Sequence, residues 1–265
     1  MGGRVHRAQT GSALWLTMDN PGRRNALSVA LLNDLKAALN SPMQADIRIV
    51  FLRGAGGTFS AGADLADITG TERDVAYDRL TAEIGDLIRT CPVPVAALIE
   101  GPCMGAAVEL ALSADLRIAE RDACFQVPAT RLGLLYKPDA IALLRARFSA
   151  ETLTRLMVLG ERFSAKRARR AGLVGDIVKS GDIERRAREL GDLAAKTDAA
   201  AAAATKRLLV ELEGGRADLA AWRERYIQLL TTDARKEAVL AIKARLGADA
   251  QAKELKKPET PDAVQ

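Results

Sequence analysis

Glu109 stands alone among apolar neighbours in the stretch Ala106-Ala107-Val108-Glu109-Leu110-Ala111-Leu112. A carboxylate at such a position is costly unless it is paired or used, so Glu109 is the first candidate for acid/base chemistry. Its structural alternative is an ion pair with a core arginine such as Arg117. Just upstream lies Gly101-Pro102-Cys103-Met104-Gly105, and an earlier segment, Gly57-Thr58-Phe59-Ser60-Ala61-Gly62-Ala63-Asp64-Leu65, is equally poor in bulky side chains. Small residues where a strand hands over to a helix let a ligand approach the main chain, and a helix start leaves N–H donors unpaired. Two such donors aimed at one oxygen would make an oxyanion hole. Taken singly, either segment is better explained by a tight turn or close helix packing.

Other chemistries have little to work with. His6 is the single histidine and sits near an amino terminus expected to fray, so neither a His-based triad nor a His-ligated metal is expected. Cys91, Cys103 and Cys124 match neither zinc-site nor redox-pair spacing and read as reduced, buried thiols. The net charge of +5 over 265 residues is modest, with Lys and Arg spread among acids, which disfavours nucleic acid and leaves room for a small polyanion such as a phosphorylated cofactor.

Elements that could position these residues follow from the apolar pattern. Residues 13–18, 47–52 and 93–99 are short apolar runs closed by turn residues, and they read as strands. Leu27, Leu31, Leu32, Leu35 and Leu39 recur at helical spacing, with Asn25 or Ser28 as candidate caps. A small-residue helix is expected over 105–113. Strand and helix alternate, which gives an α/β class. Beyond about residue 140 helical patterns dominate, including the alanine-rich run 199–204, and the polar end from Ala250, with Pro258 and Pro261, is expected to be disordered. The chain is 48% hydrophobic and 28% charged, the balance of a soluble protein with a substantial core. It contains no apolar stretch of bilayer length and no secretory leader at its start, so the cytoplasm is the expected compartment.

Several separated motifs occur together in order. Asn20-Pro21-Gly22-Arg23-Arg24-Asn25-Ala26-Leu27, then Phe59-Ser60-Ala61-Gly62-Ala63-Asp64-Leu65, then the Gly101–Gly105 loop, then Glu161-Arg162-Phe163-Ser164-Ala165 and Ala171-Gly172-Leu173-Val174 resemble the crotonase (enoyl-CoA hydratase/isomerase) superfamily over roughly residues 10–245. The resemblance implies a spiral of ββα repeats over residues 1–200 as an acyl-CoA-binding core, a helical trimerisation region over 201–249, and a tail from 250 to 265. It implies that the main-chain N–H groups of Ala63 and Ala106 bind the thioester oxygen. By the same resemblance the main chain around Ala61 and Ala63, with Asp64 and Leu65 following, holds the adenine, and Arg23 and Arg24 face the nucleotide phosphates. For either arginine alone, a solvated surface charge is an equal alternative. No cofactor is implied beyond the coenzyme A moiety of the substrate, and no metal.

Glu109 matches the first of the two glutamates that hydratases of this superfamily use on water. The second is replaced: the family's Pro-Glu becomes Pro128-Ala129, and the Gly-Leu-x-Pro-Gly pattern that follows becomes Gly133-Leu134-Leu135-Tyr136-Lys137-Pro138-Asp139. Tyr136 and Asp139 are the nearest polar substitutes, although capping accounts for Asp139 at a helix start. Two functions follow: an enoyl-CoA hydratase/isomerase-like enzyme with one catalytic glutamate, or an acyl-CoA-binding protein with little turnover. A mobile segment, 68–80, is expected to line the acyl pocket. Apolar stripes on the last helices, among them Leu208, Leu212, Trp222, Tyr226 and Leu240, point to burial in a trimer or a dimer of trimers.

Overall fold

The structure, a computed structural model, describes residues 2–254. In chain order it contains β1 (Arg4–Thr10), β2 (Ala13–Asp19), α1 (Val29–Asn40), β3 (Ile49–Gly54), α2 (Val75–Thr90), β4 (Val95–Ile99), β5 (Pro102–Met104), α3 (Ala106–Ser113), β6 (Leu116–Glu120) and β7 (Cys124–Gln126). These are followed by α4 (Pro138–Arg147), α5 (Ala150–Leu153), β8 (Phe163–Ser164), α6 (Ala165–Arg170), β9 (Asp176–Val178), α7 (Ile183–Ala194), α8 (Ala199–Glu213), α9 (Leu219–Leu230) and α10 (Asp233–Glu254). One sheet runs β1-β2-β3-β4-β6-β9, and a smaller one runs β5-β7-β8. From β2 to β9 the neighbours in the larger sheet are parallel, so helical crossovers cover its faces and the class is α/β.

The period-two alternation of the strands sorts their residues between two cores. Val50 and Leu52 of β3 and Val95, Ala97 and Ile99 of β4 join the main core with Leu31, Leu32 and Leu35 of α1. Ile49, Phe51, Ala96 and Leu98 point the other way, against Ile183 and Ala187 of α7. With both faces covered, β4 is buried throughout, which explains its uninterrupted apolar sequence. Of the two candidate caps, Ser28 caps α1 by accepting from the Leu31 N–H. Asn25 holds the preceding loop instead: its side chain donates to the carbonyls of Ala55 and Thr58 and accepts from the Asn20 N–H.

Three expectations are corrected. The amino terminus does not fray: β1 pairs antiparallel with β2 along its whole length through a two-residue turn in which Gly11 takes φ +56°. It is an edge strand with mostly exposed residues, so it lacks the alternation that reveals a strand. Residues 68–80 are not an open loop throughout. Asp74 accepts from the Thr69 N–H at 2.8 Å, the Thr69 hydroxyl at 2.7 Å and the Gly70 N–H at 2.8 Å, and α2 already begins at Val75. The Thr69 hydroxyl and then its N–H hold the Asp74 carboxyl below the usual range. Finally, residues 250–254 are the last turn of α10, where Ala and Glu favour the helix and the first proline comes only at 258; the rest of the expected tail lies outside the described residues.

The chain divides into residues Met1–Arg216 and Ala217–Gln265. Helix α8, past residue 200, belongs to the first unit and is anchored there by a buried lysine. Lys206 Nζ donates to the carbonyls of Ile88 (3.2 Å) and Val93 (2.9 Å) and pairs with Asp115 at 2.7 Å. In the second unit α9 buries none of its residues, and Leu219, Tyr226, Ile227, Leu240 and Ile242 are each at least half exposed.

Candidate active site

The two small-residue segments meet edge to edge. Ser60 bridges Cys103, its N–H donating to Pro102 O and its carbonyl accepting from the Met104 N–H, both at 3.1 Å. Ala63 bridges Leu27, whose N–H donates to Gly62 O (2.8 Å) and whose carbonyl accepts from the Asp64 N–H (3.3 Å). In a parallel bridge the residues flanking the central one carry the bonds, so Ala63 keeps its own N–H turned away from Leu27. The approach depends on Gly62: its φ is +92°, and a Cβ there would lie 2.5 Å from Met104 O. Gly105, at φ +52°, turns the chain into α3, leaving Ala106 as the first helical residue with an N–H that has no intrahelical partner. Among the described residues, neither the Ala63 nor the Ala106 N–H donates to a protein acceptor.

Glu109 lies three residues into α3, with its side chain 15% exposed. It does not pair with Arg117, whose guanidinium donates to the carbonyls of Leu173 and Ala114. Its Oε1 is 2.8 Å from Lys137 Nζ, and its Oε2 accepts from the Tyr136 hydroxyl at 2.7 Å. Burial, then the Glu109 charge and the hydrogen bond to it, push the Tyr136 phenol well above its ordinary range, so Tyr136 stays protonated and donates. Lys137 Nζ also donates to Thr81 Oγ1 at 2.8 Å and reaches Asp78 O at 3.4 Å. Burial raises the Asp78 carboxyl, with Lys137 opposing.

Helix α2 braces both halves. Its Thr81 holds Lys137, while its Tyr77 hydroxyl donates 2.8 Å to the carbonyl of Leu27, the residue that bridges Ala63. Burial and then Asp67 and Asp78 raise the Tyr77 phenol, which keeps that donor in place.

Of the other residues expected at the site, Ala129 is buried at the start of the 3-10 turn Ala129–Leu132. Asp139 is exposed in the first turn of α4 and makes no side-chain cap. Arg23 is committed to Asp64 at 2.7 Å, and Asp64 also accepts from the Ala66 N–H. Arg24 is exposed and, like Asn25, has positive φ; its carbonyl accepts from the Ala61 N–H. Leu65 is largely exposed. Sequence reasoning did not place Lys137 beside Glu109. The one signal was its place in Tyr136-Lys137-Pro138-Asp139, where the superfamily pattern breaks.

This α/β fold, with two small-residue loops beside a carboxylate at the head of a buried helix, has close counterparts. Residues 9–246 match the model of the family described as enoyl-CoA hydratase/isomerase. The chain belongs to this family, and so to the crotonase superfamily. Among its relatives is the mitochondrial enoyl-CoA hydratase domain-containing protein 3 of Rattus norvegicus, 32% identical over 176 residues. That match covers 65% of this chain and 58% of the rat protein, so the chain spans little more than half of that relative. A probable enoyl-CoA hydratase of Mycobacterium bovis is 30% identical over 70% of this chain and 75% of its own length. A crystal structure described as an enoyl-CoA hydratase/carnithine racemase from Magnetospirillum magneticum superposes with a TM-score of 0.85 at 25% identity, covering 91% of this chain and 92% of that one.

Proposed function

We propose that the protein binds an acyl-CoA thioester with its carbonyl oxygen between the Ala63 and Ala106 N–H groups, and that Glu109 moves protons on the acyl carbons beside it. The observation that carries this reading is the pair of main-chain donors without protein acceptors, on two loops joined through Ser60 and Cys103, next to a carboxylate. Negative charge gathers on that oxygen when an α-proton leaves or when a nucleophile adds to an unsaturated thioester, and fixed donors stabilise it in the transition state by roughly 3–4 kcal/mol each. Arg24, with no ion-pair partner among the described residues, and the main chain of residues 61–65 would receive the nucleotide end; Arg23, engaged with Asp64, would orient that loop.

A binding protein with little turnover is the second reading, favoured by Ala129 where hydratases of this superfamily carry their other glutamate. One preparation distinguishes them: calorimetric titration with butyryl-CoA and turnover of crotonyl-CoA. Binding with turnover supports the enzyme, binding alone the second reading, and absence of both overturns the thioester assignment. The same proposal includes a cytoplasmic trimer or dimer of trimers, supported by the exposed apolar residues of α9 and α10. Light scattering giving the mass of one chain across micromolar concentrations would refute that assembly. Among the described residues no helix is long and apolar enough to cross a membrane.

A further inference from the structure

The altered segment Tyr136-Lys137 does more than replace a family pattern. Both oxygens of Glu109 already carry a donor, Lys137 on one and Tyr136 on the other. The Lys137 ammonium is itself spent. Its three protons have three acceptors: Glu109 Oε1, Thr81 Oγ1 and Asp78 O. The Thr81 hydroxyl hydrogen is committed to Asp78 O at 3.0 Å, so Thr81 can only accept from Lys137, which fixes the direction of that bond. Lys137 is therefore not placed to turn toward a substrate, and at 17% side-chain exposure it is shielded from water that would compete for its protons.

A hydratase must hold a water between acceptors that can take its proton. Here the partners brought to Glu109 are donors, and the position of the second carboxylate is Ala129. A carboxylate gripped on both oxygens is held in one orientation, and each oxygen keeps a second lone pair for a proton from carbon.

We propose that Lys137 is a positioning residue which, with Tyr136, fixes Glu109 as a single base for proton transfer at carbon and thereby makes this an enolate-forming site in place of a water-adding one. This rests on the thioester reading above. In the step, the C2–H bond breaks, its proton goes to Glu109, and its electron pair moves through C1 onto the thioester oxygen as an enolate. When the proton on Glu109 is replaced from solvent before the carboxyl protonates C2 again, the result is exchange. In a 3-enoyl thioester delivery of the proton to C4 moves the double bond into conjugation, with no co-reactant consumed.

The test is exchange of the C2 protons of butyryl-CoA in deuterated buffer, read by mass spectrometry, alongside its Kd by calorimetry. In Lys137→Ala, exchange should fall roughly 10- to 100-fold, the scale expected of a misplaced catalytic group, while the Kd stays within about threefold. Added ethylammonium should restore exchange saturably by refilling the vacated ammonium position. Thr81→Val, which loosens Lys137 without removing its charge, should lose less and gain nothing from the amine; it also serves if Lys137→Ala does not fold. Wild-type exchange rates in either variant would overturn the inference, as would a loss in Lys137→Ala that tracks loss of binding and resists the amine. A wild-type protein that binds butyryl-CoA but exchanges no protons would overturn it too. A wild-type protein that fails to bind any CoA thioester would instead bring down the thioester reading itself.

Discussion

The loops around Ala63 and Ala106 and the cluster around Glu109 adjoin each other at the start of α3, yet they are made of different material. The loops offer main-chain groups, held by backbone bridges that need small residues: Gly62 has no room for a Cβ against Met104 O. The cluster is made of side chains from three separate segments, Glu109 on α3, Tyr136 and Lys137 before α4, and Thr81 on α2. A backbone donor survives substitution of its own side chain. A carboxylate locked by a lysine and a tyrosine does not keep its geometry when either partner changes. Main-chain donors of such a kind can therefore persist while the side chains beside them change.

That contrast can be broken most decisively at Glu109. Glu109→Gln keeps size but removes the base and leaves a single acceptor for two donors, and C2 exchange should fall by about 10²–10⁴ with butyryl-CoA still bound; full activity would move the acid/base role elsewhere. The matching probe of the loops is Ala106→Pro. Proline is tolerated at the first helical position and removes only the N–H, so the fold should persist while turnover drops about 10²–10³ and thioester affinity weakens. If the variant folds and both are unchanged, the oxyanion assignment is wrong.

Restoring the absent carboxylate with Ala129→Glu sharpens the comparison. If a missing glutamate were the sole defect, hydration of crotonyl-CoA would rise; with Glu109 already held by two donors, no gain is expected. Stability should drop by about 3 kcal/mol in thermal unfolding, because the new charge enters a buried position. A clear rise in hydration would show that Lys137 and Tyr136 do not restrain the site. The smallest expected effect is at the nucleotide end. Arg24→Gln should weaken butyryl-CoA binding by about 0.5–1 kcal/mol, as for a solvent-exposed charge contact, and the loss should shrink as salt is added. No change at low salt would leave Arg24 as a plain surface charge.

The same division governs what the sequence could reveal. Glu109, Ala63 and Ala106 stood out as candidates because glycine, alanine and a stranded carboxylate are local signals, and β3 and β4 were legible because burial on both faces writes continuous apolar runs. The placement of Lys137 was not, since it depends on Thr81, 56 residues earlier, and no local pattern records that meeting. β1 escaped for a different reason: an edge strand with polar residues on both faces has no periodicity to detect. The segment before α2 looked mobile from its polar residues, but Asp74 turns those same groups into a hydrogen-bonded knot.

The buried ammonium of Lys206 sets an order of events for a chain being made. Its acceptors on Ile88 and Val93 lie 118 and 113 residues earlier, at the junction of α2 and β4, and Asp115 shares it. Until α8 leaves the ribosome, the Ile88 and Val93 carbonyls lack the Lys206 donor and Asp115 has only the Val95 N–H, so the corner between α2 and the central strand cannot close dry. Helix α2 packs chiefly on α1 and α3, so a nascent chain stopped before residue 206 would carry both segments of the site on a core complete except at that corner.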